Sequence, residues 1–122
     1  MRLPLSVVVC DDNHDIADSL SVLLAASGCS VTTTYSGREA FSAVERSRPD
    51  VALLDIGLPD IDGYQVANCI RSSPWGSHVR LVAITGYGSP EDKKKARDAG
   101  FNLHLTKPVD FPVIEGVLDA MT

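Results

Sequence analysis

Short, nearly unbroken apolar runs alternate along this chain with segments of helical period. Leu5–Val9, Val51–Leu54 and Leu81–Ile84 are runs of aliphatic residues, the pattern of strands covered on both faces. Ser30–Tyr35 is β-branched but more polar, which predicts a strand nearer an edge, and Leu103–Leu105 predicts a short fifth. The first intervening helix has Asp12 or Asn13 to cap it, Ile16, Leu20, Leu23 and Leu24 on one face, and Gly28 to end it. Arg38–Arg46 predicts a second helix with Ala40, Phe41 and Val44 on its apolar side, closed by Pro49. Gly63–Arg71 predicts a third, Pro90–Ala99 a charged fourth that Gly100 stops, and Phe111–Met121 a last. Five strand–helix units in strict alternation argue for an α/β protein with a parallel sheet and helices on both faces.

Ligands of an open parallel sheet bind beyond the carboxyl ends of its strands. The residues just after each apolar run are therefore the ones to inspect. Asp11 and Asp12 follow the first, Asp55 ends the third, Thr85 the fourth, and Thr106, Lys107 and Pro108 the fifth. The second, ending at Tyr35 and Ser36, offers no obvious reactive group. Three carboxylates on one edge repel unless a cation joins them, and hard oxygen donors suit Mg²⁺. A divalent ion there would orient a phosphoryl group, a lysine would neutralise its charge, and a carboxylate can serve as the nucleophile that becomes an aspartyl phosphate. Asp55, at the tip of the most central strand, is the best candidate. Each signal alone has a plainer explanation: an Asp pair caps a helix, a strand-end Asp or Thr starts a turn. The coincidence at successive strand ends is what points to chemistry. Asp60 and Asp62 are taken as loop and helix-start acids without a further role.

The totals narrow the reading. The 122 residues suit a single domain over 1–122, and 44% hydrophobic with 22% charged residues is ordinary for a folded domain. A net charge of −5 argues against a nucleic-acid partner, and the run Lys93–Lys95 fits a solvated helix face. Cys10, Cys29 and Cys69 have no metal-ligand spacing and read as reduced packing residues of a cytoplasmic protein. The start, MRLPLSVVVCDDN, does not have the layout of a signal peptide, and no run is long enough to span a membrane, so a soluble chain with no membrane contact of its own is expected. His14 reads as a first-turn surface residue, His78 as part of a polar loop, and Trp75 as a lid packed on that loop.

The segments VVVCDDN, VALLDIGLPDIDGYQ, LVAITG and LTKPVD, in that order and spacing, resemble the receiver domain of two-component response regulators over essentially the whole chain. The resemblance implies a flavodoxin-like (βα)5 doubly wound five-stranded sheet of order 2-1-3-4-5. It implies Asp55 as phosphoacceptor for a histidine kinase or histidine phosphotransfer protein. It also implies Mg²⁺ or Mn²⁺ held by Asp11, Asp12, Asp55 and the Gly57 backbone carbonyl, with Asp12 the direct ligand of the acidic pair. Thr85 matches the hydroxyl that moves toward the phosphoryl group, Lys107 the lysine that pairs with it, and Lys107–Pro108 a peptide commonly cis in the family. The switch position three residues before the lysine usually holds Tyr or Phe; here it is His104, read as a partly exposed strand residue or as a ring still reporting Thr85. Phosphorylation would then move the loop GYGSPED, with Gly86 and Gly88 giving it freedom and Tyr87 exposed on a partner surface formed by the fourth strand, fourth helix and fifth strand. The motifs most resemble receivers joined to hybrid histidine kinases, so covalently linked kinase domains are a further expectation. No enzymatic activity beyond its own phosphorylation and dephosphorylation is implied. The alternatives are a receiver-like scaffold that is never phosphorylated, a flavodoxin-type cofactor binder and an aspartate-nucleophile phosphatase. The acids after the first strand speak against the second, and Gly57 in place of a second acid against the third.

Overall fold

The computed structural model describes residues 4–86 and 88–121. The strands are β1 (Ser6–Cys10), β2 (Ser30–Thr34), β3 (Val51–Asp55), β4 (Arg80–Thr85) and β5 (Leu103–Thr106). The helices are α1 (His14–Ala26), α2 (Gly37–Ser47), α3 (Gly63–Ser72), α4 (Pro90–Ala99) and α5 (Phe111–Ala120). All strand pairs are parallel and the order is β2-β1-β3-β4-β5. This is the doubly wound flavodoxin-like α/β fold expected from the sequence. Tyr87, expected on an exposed partner surface, lies outside the described residues, as do Met1–Leu3 at the start.

Alternation along the strands divides the core into two layers. Val8, Cys10, Ala52, Leu54, Leu81 and Ala83 face α2, α3 and α4. Val7, Val9, Val51, Leu53, Val82 and Ile84 face α1 and α5. The three central strands are apolar on both sides because both sides are covered, whereas the edge strands are more open: β2 alternates exposed and half-buried positions up to buried Thr34, and β5 has half-buried His104 and Leu105 between exposed ends.

Several local expectations need correction. The covered edge of α1 runs through Ala17, Ser21 and Leu24, while Ile16 and Leu23 are 44% and 45% exposed. Their apolar spacing is real, but α5 leaves a groove beside them. Of the two expected cap residues it is Asn13 that caps α1, accepting the Ile16 N–H. His78 lies, as expected, in the polar connection between α3 and β4, where Gly76–His78 form a 3-10 turn. Cys69 is exposed and so does not pack, whereas Cys10 is buried, donates its thiol to the Ser36 carbonyl, and is pushed up to about 12 by that burial. Trp75 does act as a lid: it packs on the α2–α3–α4 layer beside Phe41, with the Arg48 guanidinium 4.5 Å above its ring. Arg71 stitches the far end of that layer, donating to the carbonyls of Gly76, Val79 and Gly100 and to Asn102 Oδ1.

Asp60 has a role that its place in a loop conceals. Its two carboxylate oxygens accept the N–H groups of Gly37 at 2.8 Å and Arg38 at 3.0 Å, at the start of α2. The β3–α3 loop is thereby tied to a helix N-terminus, where unpaired N–H groups favour negative charge. Desolvation alone would raise the carboxyl's pKa, but the backbone donors of Arg38, Ile61 and Gly37 outweigh it and bring it down to about 2. A folded value below the unfolded one stabilises the fold above pH of about 4 and loses that effect as pH falls. Asp60→Ala should therefore lower Tm by a few degrees at neutral pH, with the gap to the parent closing between pH of about 4 and about 2. A gap constant over that range, in thermal melts, would show that the charge does not hold α2.

Candidate functional site

The site lies at the carboxyl edge of the sheet, where β1, β3 and β5 end. Asp11 follows β1 and is 5% exposed; Asp55 ends β3 and is 8% exposed; Asp12 is exposed. Ligand oxygens of these three carboxylates lie within 4.8 Å of one another. Lys107, from the loop after β5, reaches in between, with Nζ 2.9 Å from Asp11 Oδ2 and 3.3 Å from Asp55 Oδ2.

The backbone fixes each arm. The Asp11 N–H donates to the Thr34 carbonyl and its Oδ1 accepts the Asn13 N–H, which joins the acid to the cap of α1. Asp55 Oδ1 accepts the Gly57 N–H at 3.1 Å. α3 begins tightly behind Asp55: a Cβ at Gly63 would lie 2.7 Å from the Asp55 carbonyl oxygen and 2.8 Å from Ile56 Cα, so only glycine allows that approach. Asp62 and Gln65 then close a capping box on α3. Lys107 is tied to β4 by its N–H on the Thr85 carbonyl at 2.7 Å, and Lys107–Pro108 is cis.

Burial pushes the Asp55 carboxyl up, and repulsion from Asp11 adds to this; the Gly57 N–H and Lys107 pull the other way without reversing it. Burial alone would depress the Lys107 ammonium, but its bonds and charge contacts with Asp11 and Asp55 raise it on balance. Two of the three carboxylates, Asp11 and Asp55, thus share one ammonium, and Asp12 adds a further negative charge. A set of oxygen donors with unneutralised charge is one a hard divalent cation fits.

The family model of the response regulator receiver domain matches residues 7–119. The chain belongs to the response regulator receiver family. DivK, the polar-differentiation response regulator of Brucella anthropi, is 29% identical over 110 residues, covering 90% of this chain and 89% of that protein. TcrX, a probable transcriptional regulatory protein of Mycobacterium tuberculosis, is 37% identical over 94% of this chain, which spans 47% of TcrX. Among solved structures, the chemotaxis response regulator CheY4 of Vibrio cholerae superposes with a TM-score of 0.91 at 25% identity, over 98% of this chain and 99% of that one. Receiver domains are signalling modules of two-component systems and not, in general, enzymes acting on separate substrates. Among the described residues, no helix is long and apolar enough to cross a membrane.

The other expected residues stand around this receiver pocket. Thr85, 2% exposed, ends β4 on the same strand face as Leu81 and Ala83. Gly57 is exposed, two residues beyond the strand tip. His104 is half-buried on β5, opposite Ala83 in the register and on the strand face away from Lys107. Sequence reasoning passed over a clasp between the first turns of α1 and the residue after β2. His14 stacks on Tyr35 with ring centroids 3.9 Å apart, and the Tyr35 hydroxyl donates to Asp18 at 2.5 Å. The signal for it was the aromatic at the end of β2, set aside because tyrosine there suggests no chemistry.

Lys107→Met should leave Asp11 and Asp55 without their shared ammonium and raise the pH at which Asp55 titrates. Carboxyl ¹³C NMR of the metal-free protein reads this directly. An unmoved Asp55 titration would mean that the ion pair does not form in solution.

Proposed function

We propose that this receiver is the phosphoacceptor of a two-component phosphorelay, with Asp55 taking a phosphoryl group from a phosphohistidine on a histidine kinase or histidine phosphotransfer protein. The observation that carries the reading is the buried Asp55 carboxylate held beside Asp11 by the Lys107 ammonium. An Asp55 carboxylate oxygen attacks phosphorus, a P–O bond forms, the P–N bond breaks, and the imidazole nitrogen leaves with the electron pair. Asp11, Asp12, Asp55 and the Gly57 carbonyl would hold Mg²⁺ or Mn²⁺, with Asp12 the direct ligand of the acidic pair. When bound, the cation supplies charge neutralisation to the carboxylates and the phosphoryl oxygens. Lys107 exchanges its contact with Asp55 for a phosphoryl oxygen, and the Thr85 hydroxyl donates to another. Because Thr85 and Lys107 are joined through the backbone bond from the Lys107 N–H to the Thr85 carbonyl, their movement is transmitted to β4, α4 and β5.

The donor's place is suggested by a groove of about 680 Å³ between α1 and α5 that opens at Asp11 and Lys107. Ile16, Leu20, Leu23 and Ile114 line it, and neither α1 nor α5 carries a Lys or Arg while Asp15, Asp18, Glu115 and Asp119 do lie on them. The occupant we assign is the helix of the donor that bears the phosphohistidine, with an apolar stripe and basic flanks. The expectation of a covalently linked kinase gains no support from DivK, which is matched over 89% of its length.

Incubation with acetyl phosphate and Mg²⁺ should add one phosphoryl group by intact mass, and Asp55→Asn should abolish the addition. No uptake by the parent, or equal uptake by the variant, would instead favour a scaffold that is never phosphorylated. For the groove, Leu23→Asp should reduce the rate from a phosphorylated histidine phosphotransfer protein at least tenfold relative to the rate from acetyl phosphate, which is too small to use the groove. An unchanged ratio of the two rates would place the donor elsewhere.

A further inference from the structure

β2 is one edge of the sheet, with β1 on its inner side and, among the described residues, no strand on its outer side. Along a strand the N–H and C=O of one residue point the same way, and successive residues alternate. The Ser30 N–H donates to the Leu5 carbonyl, and the Thr34 carbonyl accepts the Asp11 N–H. Ser30, Thr32 and Thr34 therefore direct their backbone groups to β1, and Val31 and Thr33 direct theirs outward. Such an edge is a template for another strand unless something guards it. β2, with the sequence SVTTT, has no charge and no proline, and it pairs with β1 without a bulge. The opposite edge, β5, is shorter and guarded. Pro108 follows it closely, and the β4–α4 loop presses on its last residue. A Cβ at Gly88 would lie 2.6 Å from Thr106 Oγ1, so Gly88 serves that approach more than the loop freedom expected of it.

The open edge matches itself. Two copies of β2 set antiparallel about Thr32 bring Val31 of one copy opposite Thr33 of the other, and these are the residues with outward backbone groups. Each such pair can exchange both of its backbone bonds. The net charge of −5 is no obstacle there, because none of it lies on β2. The same two-fold axis sets α1 beside its copy on one face of the sheet and α2 beside its copy on the other.

On α1, Ser21 accepts from Thr33 Oγ1 at 2.7 Å and Asp18 accepts from the Tyr35 hydroxyl, so these two residues mark the side of the helix next to β2. Asp18, Val22 and Ala25 make an i, i+4, i+7 stripe along that side, and all three are exposed. Val22, at 68%, is the most exposed large hydrophobic among the described residues. It follows Ser21 and is level with the middle of β2, so the axis sets it against its own copy. Asp18, engaged by Tyr35, meets the copy's Ala25 and not the copy's Asp18.

α2 supplies a charge match. Its buried residues are Gly37, Ala40, Ala43 and Val44, and Phe41 leans to Trp75 on the α3 side. Glu39, Ala43 and Arg46 therefore fall on the side toward β2. Glu39 lies near the carboxyl end of β2, and Arg46 about two turns later, toward its start. Both are exposed, and neither is in an ion pair among the described residues. The axis sets Glu39 of each copy against Arg46 of the other. A foreign strand would meet the backbone groups but not this reciprocal pair of charges, which is why the occupant is a second copy.

We propose that the chain forms a two-fold dimer by antiparallel pairing of β2 with β2, which runs one sheet through both copies, with Val22 against Val22 and Glu39 against Arg46. The acid pocket and the groove beside Ile16 and Leu23 stay open in this arrangement, and the proposal does not depend on the phosphoacceptor reading.

Sedimentation velocity on the full chain from about 1 to about 500 µM should show a monomer–dimer equilibrium. Thr32→Lys puts two ammonium groups at the axis from an exposed position and should weaken the dimer at least tenfold. Glu39→Lys and Arg46→Glu should each weaken it too, because each sets like charges together in both cross-copy pairs. An equimolar mixture of those two variants should dimerise as the parent does, since both pairs are then of opposite charge again. In the parent, amide hydrogen exchange followed by NMR should slow at Val31 and Thr33 as concentration rises, with Thr32, bonded to β1, unchanged. Circular dichroism melts check that each variant folds, and the exchange pattern of the parent decides the register should one fail. A chain that stays monomeric over this range would overturn the proposal and leave the edge to a strand of another protein. A dimer indifferent to all three variants, a mixture that associates no better than either variant alone, or exchange at Val31 and Thr33 that ignores concentration would overturn it and place the contact on another face.

Discussion

The fold has to hold three carboxylates against their own repulsion. Two unit charges 4.8 Å apart, the outer limit of this cluster, repel by about 3 kcal/mol at an effective dielectric of ~20. A contact at 2.9 or 3.3 Å to Lys107 attracts by about 5 kcal/mol on the same scale, before any desolvation. The lysine therefore offsets the repulsion between Asp11 and Asp55, but Asp12 makes no ion pair among the described residues and adds repulsions of its own. The remaining charge is an incentive for a divalent cation. It is also a reason why the strand ends must be rigid, since a looser loop would let the acids drift apart.

That rigidity comes from residues that do no chemistry. Gly63 lets α3 start against the back of Asp55, Asn13 fixes Asp11 to the cap of α1, and Asp60 ties the intervening loop to α2. Each bond satisfies a backbone N–H that a helix start would otherwise leave unpaired. The helix caps and the site are thus built from the same short loops. Mutations that loosen a cap are expected to be felt at the acids before they are felt in the core.

Much of this was legible in the chain. Continuous aliphatic runs mark β1, β3 and β4 because both sheet faces are covered, and the residues one step beyond those runs contain the pocket. Where the reading failed, the information was not local. The spacing of Ile16 and Leu23 marks an apolar face on α1 but cannot say that α5 leaves part of it open. Asp60 looks like a loop acid because its partners, Gly37 and Arg38, are more than twenty positions away. Gly88 suggests freedom, whereas its value lies in the side chain of Thr106 pressed against it. His104 could be placed on a strand, but the lack of any hydrogen-bond partner for its buried nitrogens depends on how α4 packs.

The strand pleat itself separates two tasks. Counting along each strand, Asp11, Asp55 and Lys107 fall on the parity that faces α1 and α5, while Thr85, His104 and Thr106 fall on the parity that faces α4. The groove assigned to the donor lies on the first face and the switch surface on the second. A signal must therefore cross the sheet, and the described backbone gives it a direct link: the N–H of Lys107 on the carbonyl of Thr85. A charge change that pulls Lys107 on one side must either break that bond or carry β4's last residue with it. Thr85 is buried and apolar neighbours flank it along β4, so a displacement there is not absorbed by solvent and passes to whatever packs on the α4 side, which is where His104 sits.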